Sequence, residues 1–349
     1  MKRSVLVWST LVILLAARPL AAQDSLTVAD TLPGWAINLG VHHTGLSLGN
    51  SSRWNGLRIN FSDRAVREVN GINVTLWKPG RNRFGVYRGI SVGLAPYGAS
   101  FTGITLGIAG AVAERSMTGL NVGGLGLVAN GDLRGVNASI LGTVADGSMD
   151  GINVAGLGTV AEGDMEGISV AGLATVAQGH MYGVNVSGLA TVAWGDMRGI
   201  GVSGLAAVSQ GDMGPLTIAG LAVVAEGDVQ GLTVAGLAVV GVGRVTGATV
   251  ALGAVESATL IRGVAVAGYR VKAPRVQGFA IPVGWLRAGR LDGVSISAYN
   301  RVVGSQHGLT IGLVNYAKAL HGMQLGIVNI AGNNHGLARV LPLINVHLR

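Results

Sequence analysis

The strongest constraint on this chain is a glycine that returns every sixteen residues. Gly103, Gly119, Gly135, Gly151, Gly167, Gly183 and Gly199 are evenly stepped, Pro215 takes the next slot, and Gly231, Gly247 and Gly263 resume the series. The step then shortens to 15 and 14 residues through Gly278, Gly293, Gly308, Gly322 and Gly336, and looser copies begin at Gly56, Gly71 and Gly89. A typical unit, from Gly151, reads GINVAGLGTVAEGDME. A short fixed period over most of a chain marks a repeat architecture, whose units bury surface only by stacking on their neighbours.

The unit is too short for a pair of helices, and its frequent Gly disfavours helix. Gly supplies 58 of the 349 residues. Ile152 and Val154 alternate as a strand requires, and Glu162-Gly163-Asp164 reads as a turn. The fold class is therefore all-β. Two architectures fit: a β-solenoid of 14–16-residue repeats with one coil per repeat, or a transmembrane antiparallel β-barrel with one strand per repeat.

The barrel has about ten residues of alternation per unit, enough to cross an outer membrane. It also has a closing-strand candidate at Leu343–Leu348, without the usual terminal aromatic. Three observations favour the solenoid. Up and down barrel strands meet opposite sides of a membrane, yet each unit carries the same turn (GDME, GHMY, GDMR). The 14-residue unit from Gly308 follows the 16-residue pattern if one residue is lost around Ala155; such a loss inside a continuous strand would flip every later side chain, whereas at a corner of a coil it costs little. Finally, the column Leu125, Leu141, Leu157, Leu173, Leu189 and Leu205 would line a wide wet lumen in a barrel. As a solenoid, each coil is expected to bury residues such as Ile152, Val154, Leu157, Val160 and Met165.

The start of the chain predicts export. Lys2 and Arg3 precede an apolar run to Ala17, and Ala21-Ala22 offers a cleavage site, so residues 1–22 read as a signal peptide. The remaining organisation is 23–102, irregular repeats and cap; 103–262, regular 16-residue repeats; and 263–349, shorter repeats with a C-terminal cap. The stretch from Arg53 to Arg88 and the tail from Leu337 are the expected caps. The absence of Cys excludes disulfides, thiolate metal sites and lipidated cysteine. The net charge of +8 is not a basic face: residues 103–262 hold five Arg against twelve Asp or Glu. Nucleic acid is therefore not an expected partner.

Gly312-Leu313-Val314-Asn315, Gly326-Ile327-Val328-Asn329 and the GxxVAGLxxVA units resemble a family of glycine-rich GLVN-type surface-repeat proteins of Gram-negative bacteria. The resemblance covers roughly residues 56–345. Central units depart from it at Gly158-Thr159 and Ala174-Thr175, where the family has Val-Asn. It implies a surface or outer-membrane protein and carries no catalytic residue across. The lipid anchor of several members has no counterpart here, for want of a Cys.

Candidate chemistry is sparse. His307, His321 and His335 recur every 14 residues; stacked, they would form a metal site or a cationic row. Asp132, Asp164, Asp196, Asp212 and Asp228 share a turn slot, as a Ca²⁺ ladder or as acceptors for their own turns' N–H groups. Thr143, Thr159, Thr175 and Thr191 form a column, as do Asn121, Asn137, Asn153 and Asn185. These read as a ligand face or as internal hydrogen-bond ladders. Tyr182 and Trp194 are lone large residues in turn slots. Gly241-Val242-Gly243 is an incomplete dinucleotide loop, and the Glu162/Asp164 pairs continue the repeat rather than breaking it. The expectation is a non-enzymatic surface or outer-membrane-associated protein, a scaffold or adhesion-like surface, with no catalytic, cofactor or metal residues. The expected partner is the envelope, with glycans or other surface proteins as further classes. An outer-membrane pore and a glycan-acting solenoid are the alternatives.

Overall fold

The computed structural model describes residues 34–348 apart from Lys78 and Arg81. The expected signal peptide lies outside the described residues. The described chain is a stacked series of coils in one continuous sheet system, a β-solenoid and not a barrel. In the coil from Met165, a long strand Met165–Ala171 is followed by a corner at Gly172-Leu173, a short strand Ala174–Ala177, and a turn through Gln178-Gly179-His180. The next coil repeats this order, with Met181–Ser187 and then Ala190–Ala193.

All pairing between coils is parallel and in register: Met149 lies beside Met165, Met165 beside Met181, and Thr159 beside Thr175. Leu173 donates its N–H to the Leu157 carbonyl at 2.8 Å, so even the corners belong to the ladder. Like side chain stacks on like, which an antiparallel barrel would not allow.

The shorter units keep this register because their deletions fall between the paired stretches of the ladder. Within the strand Trp285–Ile296 the ladder shifts between Ala288 and Leu291, which lie opposite Val302 and Gln306 with one residue fewer between them. Ile296 and Tyr299 pair with Ile311's and Trp285's columns respectively, with only Ser297 and Ala298 at the corner between them. Neither loss reverses a strand face.

The register places the expected core on the wrong side. Met165 is fully buried, but Ile152, Val154 and Leu157 are exposed and Val160 is half-buried. The Leu125–Leu205 column is exposed too. Inside lie Ala155, Thr159 and Ala161, with Asn153 between the strands. The inward slots of the central coils carry mostly Ala, Ser, Thr, Asn and Val, which leaves the larger aliphatic side chains on the outer face. Large side chains fill the column from Trp54 through Tyr87, Phe101 and Met117 to Leu291, and Leu127 and Leu286 enter the Thr159 column towards its two ends. The polar interior is tolerable because each coil supplies the partner its neighbour needs.

The Gly every sixteen residues marks the bend within the long strand. Gly167 has φ +105°, and a Cβ there would run into the carbonyl oxygen of Gly151. Gly336 is not part of this column: it opens the short 3-10 turn Gly336–Arg339.

The ends are capped by antiparallel strands. At one end Ala36–Val41 folds back on Thr44–Gly49. At the other, Val340–His347 returns along the last coil, pairing Leu325 with Ile344. This returning strand lies in the tail that follows Leu337. The stretch from Arg53 to Arg88 is not a cap, since Arg53–Asn60, Glu68–Thr75 and Val86–Gly93 are stacked coil strands.

Candidate interaction surface

The outward columns divide the circumference into two chemically distinct sides. Next to the glycine column, the slot of Ile168 is apolar without interruption from Leu46 through Ile72, Leu120 and Leu232 to Leu309. Two residues on, the slot of Val170 runs through Leu48, Val74, Val186 and Ile281. The Leu173 corner and the Val176 slot extend the apolar side around the edge in the central coils. On the other side of the glycine, the slot of Glu166 holds Asp150, Tyr182, Arg198 and Gln230. The result is a long apolar flank bordered by a polar one. An exposed continuous apolar face of this extent is unusual for an isolated soluble domain.

The polar flank holds the Asp column. Its carboxylates do not serve their own turns. Each reaches the next coil: Asp164 Oδ1 accepts the His180 N–H at 2.7 Å, Asp196 Oδ1 that of Asp212 at 2.9 Å, and Asp212 Oδ1 that of Asp228 at 2.9 Å. His180 takes one slot of this ladder, its Nδ1 accepting the Asp196 N–H at 2.9 Å. At Asp228 burial resists ionisation, but the hydrogen bonds and charge of Arg244 prevail and hold its carboxyl below the usual range. Asp292 is lowered in the same way, against its burial, by Arg290 and Arg275. With the carboxylates engaged like this, the column is a structural ladder.

Two of the three expected histidines come together. His307 and His321 stack with ring centroids 4.6 Å apart and planes 4° apart. His335 precedes the terminal 3-10 turn instead, and His347 from the C-terminal cap meets His321 edge-on at 6.2 Å. Among the described residues no group of three or more His, Asp or Glu is placed to hold a metal ion.

The Thr and Asn columns are interior, not a ligand face. Asn121 Nδ2 donates to Asn137 Oδ1 and Asn137 Nδ2 to Asn153 Oδ1, each at 2.8 Å, and Thr159 Oγ1 donates to Thr175 at 3.3 Å. Trp194 is exposed in its turn, and Tyr182 stacks on His180 at 5.6 Å. Gly241 closes a short strand, and Val242-Gly243 belongs to the following turn.

Two features escaped the sequence reading. The first is a buried polar cluster in the N-terminal coils. Arg58 is fully buried in the column of Ser47 and Asn73, and its guanidinium donates to Asp63 Oδ1 at 2.6 Å, Asn73 Oδ1 at 2.7 Å and Asn50 Oδ1 at 2.9 Å. Tyr87 and Thr75 donate to Asp63 Oδ2, both at 2.8 Å. Burial opposes the charge on Asp63, but Arg58 and the hydrogen bonds from Asn60, Arg58 and Tyr87 hold its carboxyl below the ordinary value. Burial, then the charge of Asp63, pushes the Tyr87 hydroxyl well up. Arg58 sits in a slot that otherwise carries small polar residues, and that mismatch was the available signal.

The second is a change in the outward columns of the C-terminal coils. The short-strand slot that is Val in Val208, Val224 and Val240 becomes Glu256, Lys272, Arg287 and Arg301. The slot two residues earlier, Gly or Ala as far as Ala254, becomes Arg270, Trp285 and Tyr299. Tyr269 meets Trp285 edge-on at 6.2 Å, Arg270 lies 5.7 Å over the Trp285 ring, and Arg270 also pairs with Glu256. Beside these, a groove of about 680 Å³ runs along the apolar flank, lined by Ile281, Ile296, Ile311, Leu313 and Ile327 among others. Scans against family models, curated proteins and solved structures found no match.

Proposed function

We propose that this chain is an exported, non-enzymatic protein of a Gram-negative envelope, a stiff scaffold held at the outer membrane or cell surface and presenting one flank to its surroundings. The observation that carries this reading is the apolar flank, unbroken from Leu46 to Leu309, on a body whose strands hydrogen-bond continuously from coil to coil. A flank of this kind is a poor substrate cleft and a good contact surface, because it offers area without converging polar groups. The N-terminal signal features and the resemblance to glycine-rich surface-repeat proteins support the same address.

Fractionation of Gram-negative cells producing the full chain tests it. The mature protein is expected in the outer-membrane or surface fraction, with Gln23 as its first residue by mass spectrometry. An intact Met1 start in the cytoplasmic fraction overturns the proposal.

A further inference from the structure

We infer that the C-terminal third of the solenoid docks edge-on against an anionic lipid surface. Its apolar groove takes acyl chains, and the Lys272–Arg287–Arg301 ladder takes headgroup phosphates. This rests on the envelope reading above and names the partner of that flank.

The order of side chains around the coil supports it. From the groove outward come aliphatic residues (Ile281, Ile296 and Ile311), then the aromatic slot of Trp285 and Tyr299, then the cationic slot of Lys272, Arg287 and Arg301. Aliphatic, aromatic and basic is the sequence met on passing from the hydrocarbon of a bilayer through its interface to its headgroups.

The three cations stack at about 4.8 Å per coil, the spacing of paired strands. Such a row repels itself unless something anionic lies over it. Glu256 heads the column but is taken up by Arg270, and among the described residues no ion pair engages Lys272, Arg287 or Arg301. The charge balance is also local: residues 263–349 carry nine Lys or Arg against Asp292 alone, where the central repeats are acidic.

Packing does not require these residues. The inward slots continue with Val271, Leu286 and Asn300, and with Ala273, Ala288 and Val302, all buried. From Arg270 to Arg301 the outward short-strand slots change character beside the groove while the slots between them stay buried. That is the pattern of a surface adapted to a partner rather than of a coil adjusted for stability.

Flotation of the purified chain with vesicles tests this. The probes are phosphatidylcholine vesicles with and without about a third phosphatidylglycerol. Binding is expected to the anionic vesicles, to weaken steeply with salt, and to be weak on phosphatidylcholine alone. The variant K272E/R287E/R301E is expected to lose roughly a hundredfold in partitioning, from about fivefold for each cation near an anionic surface. Arg134→Glu on the polar flank is expected to bind as the parent does. Ile296→Asp is expected to weaken binding even at low salt, separating groove from ladder.

Equal binding to both vesicle types, or no effect of the triple reversal in a variant with unchanged circular dichroism, overturns the proposal. So does release of the chain from vesicles by millimolar inorganic phosphate at constant ionic strength, which would make the ladder a free-phosphate site. Dimerisation abolished by Ile296→Asp, without vesicle binding, would assign the groove to a second copy. Failure to float together with an outer-membrane location would remove the lipid site and leave the envelope reading in place. The salt titration of the unaltered chain needs no variant to fold.

Discussion

Asn153 and Ser169 stand one coil apart in the same inward column, and the amide ladder from Asn121 through Asn137 stops between them. Asn153 Nδ2 and Ser169 Oγ are both buried without a hydrogen-bond partner. The next coil offers Asn185 in that slot. Ser169→Asn is therefore expected to join the two segments and to stabilise the chain by about 1 kcal/mol, as a typical buried hydrogen bond does. Removing the middle rung, Asn137→Ala, is expected to cost about 2 kcal/mol or more, because both neighbours lose a partner. Urea midpoints for the two variants check both signs.

The glycines divide into two classes that substitution separates. Gly167 combines φ +105° with contact against the Gly151 carbonyl, so Gly167→Ala is expected to destabilise by more than about 1 kcal/mol. Gly158 begins a short strand where the next coils carry Ala174 and Ala190. Gly158→Ala is expected to be neutral or to stabilise by up to about 1 kcal/mol, through the unfolded chain. Thermal unfolding of the pair tells the classes apart.

His180 holds a place in the Asp ladder by using its Nδ1 as an acceptor, with Asp164 before it and Asp196 after it. A carboxylate in that slot accepts a charge-assisted bond and is already tolerated at the equivalent Asp212. His180→Asp is expected to preserve the ladder and raise the melting temperature by a few degrees. His180→Leu, which has no acceptor, is expected to lower it.

The buried Arg58–Asp63 pair sets the acid limit of the N-terminal coils. Asp63 ionises below the ordinary carboxylate value in the folded chain. Its contribution is therefore complete above the unfolded value near 4 and is lost as pH falls below that toward the lowered folded value. Asp63→Asn is expected to flatten this acid arm and to destabilise at neutral pH by about 3–5 kcal/mol, since Arg58 is left buried without its counter-charge. Unfolding curves from pH 2 to 7 for parent and variant measure both effects.

The coil length and the parallel stacking were legible because they depend only on where glycines, turns and deletions fall. The choice between inside and outside was not. Ile168 is 41% exposed and its neighbour Ser169 is 1% exposed, the reverse of what hydropathy implies. A single Asn or Thr looks solvent-bound in a linear reading. It becomes a core residue only when stacking hands each amide its partner one coil away, as between Asn121 and Asn137. A signal was nonetheless present. Outward slots wander among Ile, Leu, Val, Ala and Phe, whereas the Asn153 slot accepts only small residues, mostly hydrogen-bonding ones, across the central repeats. The Lys272–Arg287–Arg301 ladder was hidden by the change of period, since 15- and 14-residue steps had to be registered before those residues could be seen to align.

Pulsed spin-label distances test the stacking itself, and the lack of native Cys makes the labelling clean. With one label at Leu125 and the second at Leu189, Leu205 or Leu221, one-coil-per-repeat stacking gives separations of about 19, 24 and 29 Å, a constant increment of about 4.8 Å per coil. Separations that alternate from repeat to repeat, or that level off and close back on themselves, would contradict the solenoid.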